Sequence, residues 1–457
     1  MSDVAGIDLV EQSERVIQLS RKDAEFLSQL KFFVIPSSDG DTDHPLFTVN
    51  PQQWVGHFRL PSGSIVRILP KIPTASVLRM LAYVFLRWHE QLLRPEEVQY
   101  ETNFFLFEPL VRVFNELVTA RARKGLVQDY VRHEENLTLV RGRLLFREQI
   151  QQNTGYPNRA FCRFFENTMD IPDNQVVRRT LRFLLSNGTW TERTEHGLIA
   201  NFHQFEAVSD VPLRSLRFGI HHYHRLNEDY EPLHRSCTLF LSAGSISEPA
   251  GSFPFKGFLL DMNKLFEKFV EQAFITMGLR LGLDIHPQRT EPLADGEFVP
   301  DIKPDVVVSR SGRIAAVVDA KYKRDPQNSD IFQVIAYGTA LRCFDTYLFY
   351  PETELAVDRS MRVKNSRIVV NTKRVAVSGE DCVKSAEDSV REVSEGSGSR
   401  LQTCCWGVLD STSVSVAVCS MYPSRRERMQ LGRRVARWPA AAYRGRLLEF
   451  PAYASVH

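Results

Sequence analysis

No stretch of this 457-residue chain reaches eighteen consecutive apolar residues, so nothing in it reads as a membrane span. Met1-Ser2-Asp3-Val4 lacks the basic and apolar regions of a signal peptide. Cys-x-x-Cys pairs are missing: the seven cysteines are scattered, and the adjacent Cys404-Cys405 make neither an unstrained disulfide nor a metal pair. These absences lead us to expect a reducing, cytoplasmic compartment. No Gly-x-x-x-x-Gly-Lys-Ser/Thr occurs, which excludes nucleotide binding by a P-loop. A Gly-x-Ser-x-Gly elbow and a catalytic Cys/His signature are missing too. Strong net charge is also lacking. Fifty-seven basic against 55 acidic residues leave +2, so nucleic-acid binding is not written in the bulk charge, and any such contact must come from local patches or from a partner.

What is present is concentrated around residue 310. Pro304-Asp305 opens the apolar run Val306-Val307-Val308, and a second run, Ile314 to Val318, ends in Asp319-Ala320-Lys321-Tyr322. Residues i and i+2 of a strand share a face, so Asp319 and Lys321 point the same way. With Ser311-Gly312 as a hairpin turn, the two runs become neighbouring strands and Asp305 approaches Asp319. Two carboxylates supply hard oxygen ligands for Mg²⁺, and a lysine beside them can orient water or offset phosphate charge. The bland alternative makes both aspartates solvated strand ends with Lys321 as a surface partner. The continuous apolar run before Asp319 argues against it, because such runs mark strands buried on both faces. A helical pattern follows from Asp330, with Gln333 and Tyr337 at i and i+4 on one side.

Pro304-Asp305, Asp319-Ala320-Lys321 and the Gln333-x-x-x-Tyr337 helix together resemble the core of the PD-(D/E)xK nuclease superfamily. The closer resemblance is to the McrC family, the nuclease subunits of the McrBC modified-cytosine restriction system. Leu60-Pro61-Ser62-Gly63, Ile68-Leu69-Pro70-Lys71-Ile72, Leu139 to Leu144, Asp173 to Val177, Arg225 to Tyr230 and Leu260 to Phe269 carry it in order. The resemblance covers most of residues 50–350. It implies Mg²⁺-dependent cleavage of double-stranded DNA, with Asp305, Asp319 and Lys321 catalytic and Asp305 and Asp319 ligating metal. An acidic residue on the first helix often joins such a site, and Glu267 is the candidate here; Glu271 lies further round. Gln333 and Tyr337 would brace the site, and Lys303, Lys323 and Arg324 could contact flanking phosphates. The implied partner is an McrB-like AAA+ GTPase hexamer that recognises the modified base and whose GTP hydrolysis this chain stimulates. A non-cleaving regulatory subunit and a stand-alone repair nuclease are the competing readings.

The expected fold class is α/β, with an N-terminal α+β partner-binding region ahead of a restriction-endonuclease-like domain. Residues 1–100 read as mixed and β-rich, 101–248 as mainly helical, 255–355 as the nuclease and 356–457 as an atypical tail. Asp39 to Asp43 reads as a surface loop and Pro249 to Pro254 as a linker. Helical periodicity runs over 77–93 and 105–123, strand-like pattern over 126–150, and helices dominate from 173 to 245. Lysine stops at Lys384, and residues 401–457 carry eight arginines against three carboxylates. That stretch is either a basic arm for DNA phosphates or an extension without fixed order. His221, His222 and His224 with His234 and Cys237 fit no standard zinc spacing.

Overall fold

The apolar run before Asp319 forms strand β15 (Arg313–Ala320), and the run after Asp305 forms β14 (Val306–Arg310). Ser311 and Gly312 both adopt positive φ, 52° and 76°, which closes the two-residue hairpin with the twist its strands require. The strands pair antiparallel, with Val306 opposite Val318. On the outer side of β14 lies β11 (Asp284–Pro287), also antiparallel. On the other side β15 pairs in parallel with β16 (Asp345–Pro351), which pairs in parallel with β18 (Val369–Val375). A short strand, β17 (Ser360–Arg362), ends the six-stranded sheet, whose order is β11-β14-β15-β16-β18-β17.

Parallel neighbours need a crossover, and α9 (Asn328–Ala340) supplies it between β15 and β16. Val317, Leu348, Tyr350 and Val370 pack on Val334 and Tyr337 of that helix. Val306, Val308, Ala316, Val318 and Phe349 belong instead to the core that contains α8 (Met262–Leu281). A strand covered on both faces explains why its sequence shows a solid apolar run rather than alternation. Helix α8 starts where the Asp261 carboxylate accepts from the amides of Asn263 and Lys264, and it ends at Gly282, whose φ of 64° is left-handed.

The computed structural model describes residues 6–30, 32–36, 45–86, 107–156, 158–188, 190–212, 223–225, 227–245, 256–296, 299–352, 357–379 and 381–404. One contact unit takes in residues 1–216 and 223–399. The second, 217–222 with 400–457, lies outside the described residues except for the last turn of α10 (Cys382–Cys404). The N-terminal part builds a sheet of order β1-β6-β5-β10 from Gly6–Val10, Ile65–Leu69, Trp54–Arg59 and Lys256–Asp261. Beside it, Arg15–Gln18, Leu46–Asn50 and Phe33–Pro36 form a three-stranded sheet. Helices follow at Thr74–Leu81, continued by a π turn Ala82–Leu86, and at Glu108–Lys124, Pro172–Asn187, Glu192–Gln204 and Tyr230–Ser245. Another three-stranded sheet, β7-β9-β8, stands between the second and third of these, from Asp129–Leu137, Ala160–Thr168 and Arg143–Leu144.

Several expectations need correction. The sheet does not close at 355: β18 lies between β16 and β17, so the ordered fold runs on beyond the expected tail boundary. Nor is there a clean boundary after 254, because Lys256–Asp261 pairs with Trp54–Arg59 of the first sheet. Phe146–Asn153 is helical inside the stretch read as strand-like, and the strand Ala160–Thr168 was not anticipated. The acidic loop, the Pro249–Pro254 linker, His221, His222 and the arginine-rich segment lie outside the described residues.

Candidate active site

Extending the pairing one step beyond Val306 and Val318 sets Asp305 opposite Asp319. The Asp305 carboxylate accepts a hydrogen bond from the Ala320 amide through Oδ2, at 2.7 Å. Both aspartates are buried, at 7% and 1% exposure. The Lys321 ammonium sits 2.7 Å from Asp319 Oδ2 as an ion pair. The residue after Ala320 continues the ladder, its amide bonding to the Phe349 carbonyl at 2.8 Å. The alternation that places Asp319 and Lys321 on one face therefore holds.

Glu267 reaches this pair from α8. Its Oε1 accepts from the Gln288 side-chain amide at 2.6 Å, and the same nitrogen donates to Asp305 Oδ1 at 3.2 Å. Lys268 is engaged with the buried Glu271 at 2.6 Å. Gln288 escaped the sequence reading. It follows β11, and only the long-range register of β11 on β14 brings it opposite Asp305.

Burial and then the neighbouring Asp319 and Glu267 carboxylates push the Asp305 pKa well above the carboxylate range. Burial raises Asp319 as well, against the pull of Lys321. For Lys321, burial acts to lower the pKa, but the Asp319 and Asp305 charges outweigh it and the net shift is upward. Lys321 thus stays an ammonium at neutral pH: it can donate hydrogen bonds and carry charge, but it is not a ready proton acceptor.

Gln333 and Tyr337, the residues expected to brace the site, stand one step back. Gln333 Nε2 meets the Tyr337 hydroxyl at 2.5 Å, and that hydroxyl reaches the Lys303 carbonyl at 3.5 Å. Tyr337 therefore touches the backbone that leads into Asp305, and its pKa is pushed up to about 12 by burial and the Asp319 charge. Of the three expected phosphate contacts, Lys303 is exposed, while Lys323 is held by Asp330 at 2.9 Å. Arg324 lends its carbonyl to Arg374. Tyr322 packs on Phe266 and donates to Oε1 of the buried Glu11 at 2.9 Å; the Lys71 amide donates to the same oxygen at 2.8 Å. The first sheet is thereby hydrogen-bonded to the residue next to Lys321.

Among the described residues no three His, Cys, Asp or Glu side chains already form a metal cage. The donor set nonetheless suits a hard cation. Oxygen ligands from Asp305 and Asp319 lie together in a buried cluster with Lys321 and the Ala320 and Gln288 amides around them. His234 uses its ring nitrogens on the Tyr223 hydroxyl and the Asp173 carbonyl, both at 3.0 Å, in a packing role rather than a zinc site.

The family model of the McrBC 5-methylcytosine restriction system component matches residues 49–351. The chain belongs to that family. The matched span nearly coincides with the 50–350 region whose segments resemble McrC, and it contains Glu267, Gln288, Asp305, Asp319 and Lys321. No curated protein sequence matches the chain. Among solved structures it is similar to one described as a refined half-complex from a tetradecameric assembly of Thermococcus gammatolerans McrB AAA+ hexamers with bound McrC. The identity is 20% and the TM-score 0.52, over 85% of this chain and 100% of that one, which speaks for a shared fold. The cryo-EM structure of the Thermococcus gammatolerans McrBC complex gives 22% identity over 60% of this chain and 88% of that one. Its TM-score of 0.39 is too low to support an argument. Two of the family segments also meet: Tyr230 hydrogen-bonds Asn174. No helix among the described residues is long and apolar enough to cross a membrane.

Proposed function

We propose that this chain is the McrC-type nuclease subunit of a modified-cytosine restriction complex, hydrolysing DNA phosphodiester bonds with Mg²⁺ at a PD-(D/E)xK site. The observation that carries the reading is the hairpin that sets Asp305 opposite Asp319 and holds the Lys321 ammonium 2.7 Å from the second carboxylate. Asp305 and Asp319 would hold the cation, with Glu267, beside Asp305, as the third carboxylate. When bound, a divalent cation supplies Lewis acidity and charge neutralisation for the phosphodiester. Asp319 positions Lys321, and Lys321 donates a hydrogen bond to the attacking water or to a phosphate oxygen as negative charge develops. Tyr337 and Gln333 keep the segment before Asp305 in place.

The partner in this reading is an McrB-like AAA+ GTPase hexamer. Two facts support it: family membership, and the absence of a P-loop, which leaves nucleotide hydrolysis to another chain. The solved relative is itself an assembly of McrB AAA+ hexamers with bound McrC. Such a system works on double-stranded DNA in the cytoplasm. The division of labour is testable with Asp305→Ala in the presence of the GTPase. GTP turnover by the partner should stay within about twofold of wild type while DNA cleavage disappears. Loss of GTPase stimulation together with cleavage would contradict two separable roles.

A further inference from the structure

The least expected residue at the site is Gln288. One register step beyond Pro287 opposite Val306, it faces Asp305 across the β11–β14 edge, and its backbone amide donates to the Asp305 carbonyl at 3.0 Å. Its φ is 51°, a left-handed conformation that a glutamine seldom adopts and that persists only where surrounding contacts enforce it. From that position the side-chain nitrogen has two protons, and it donates toward two carboxylates, Glu267 at 2.6 Å and Asp305 at 3.2 Å. Glu267 lies on a helix and Asp305 at a strand end; their carboxyl groups meet directly, and this amide donates to both. Each accepting oxygen keeps a second lone pair, so the amide can orient both groups without occupying their capacity to bind a cation.

We propose that Gln288 is a positioning residue that holds Glu267 beside Asp305 and thereby sets the affinity of this site for a divalent cation. The inference rests on the metal reading of the site given above. Without the amide, Glu267 loses the donor it shares with Asp305, and the half-buried side chain can turn away toward solvent. A cation would then have to bring Glu267 back at the expense of its own binding. Residues that orient metal ligands through such hydrogen bonds commonly change affinity by about 10–100-fold when removed.

Calcium, which fits oxygen ligands, serves as the probe, with the full-length chain titrated calorimetrically. Gln288→Gly removes the amide while relaxing the left-handed backbone, so misfolding does not account for a loss. Gln288→Leu removes the amide and keeps comparable bulk. Both variants should bind Ca²⁺ about 10–100-fold more weakly than wild type. In the absence of cation, Gln288→Gly should unfold at or above the wild-type temperature. Binding within twofold of wild type by both, or by the glycine variant alone, would overturn the proposal. Asp305→Ala separates the two levels of the argument. If Ca²⁺ binding survives that change, the cation sits elsewhere, and the metal reading fails along with the inference built on it.

Discussion

Asp305 is a carboxylate that the fold prefers protonated. Burial raises its pKa first, and Asp319 and Glu267 add to the effect. The folded state therefore binds a proton more tightly than the unfolded chain does, where the ordinary value is 3.8. Stability contributed by this group falls as pH rises from about that value through the raised folded one. Asp305→Asn keeps an oxygen for the Ala320 amide and removes the charge. We predict that, in chelator, the variant is more stable than wild type at pH 7–8 by about 1–2 kcal/mol, the scale of relieving a buried charge. Thermal unfolding across pH 4–8 checks this: the gap should close near pH 4, and a divalent cation should narrow it at pH 8. Equal stability at all pH values would mean that the carboxylates do not press on one another as their geometry implies. Asp305, Asp319 and Lys321 were legible in the sequence because their relation is local: period-two alternation and a two-residue turn place all three. Gln288 was not, because a left-handed backbone and a pairing with β14 put it there, and neither leaves a mark in the residue string.

The β14–β15 hairpin is the element that converts this local pattern into a site. Its turn lies at the far end of the strands from Asp305 and Asp319, and a Cβ on Gly312 would meet no atom within 4 Å. Gly312→Ala should thus cost only backbone strain, about 1 kcal/mol, read as a lower denaturant midpoint. Cleavage at permissive temperature should be unchanged; a large loss would show that the turn sets the aspartate register. Among the other elements, Glu108–Lys124 carried a strong helical period and formed as expected within a few residues. Phe146–Asn153 and Ala160–Thr168 were harder to read. Phe146, Ile150 and Phe165 are exposed at 73%, 68% and 60%, so apolar residues on these elements do not report a buried face.

At the scale of the molecule, the site is held from several directions. Glu267 comes from α8, Gln288 from the end of β11, the aspartates from the hairpin, and Glu11 of the first sheet reaches Tyr322. Helix α10 ties the π turn Ala82–Leu86 to α8 through Glu387, which meets Tyr83 at 3.2 Å and Arg280 at 3.1 Å. A boundary drawn at 355 could not anticipate this, since β18 joins the sheet by parallel pairing to β16 across a long connection. The apolar core likewise runs from Val77 through Leu184 to Phe349 without respecting the expected domain limits.

The central claim is that Asp305, Asp319 and Lys321 cut DNA within a modification-dependent assembly. Plasmid cleavage with Mg²⁺ and GTP tests it most directly, with wild type and Lys321→Ala compared on methylated and unmethylated DNA, each with and without the cognate GTPase. The account predicts cutting only by wild type, only on methylated DNA and only with the partner, with Lys321→Ala slower by about 100-fold or more, the scale of removing one charge-stabilising donor. Cleavage by Lys321→Ala at the wild-type rate would contradict the assigned site, and partner-independent cutting that ignores methylation would contradict the restriction-subunit reading.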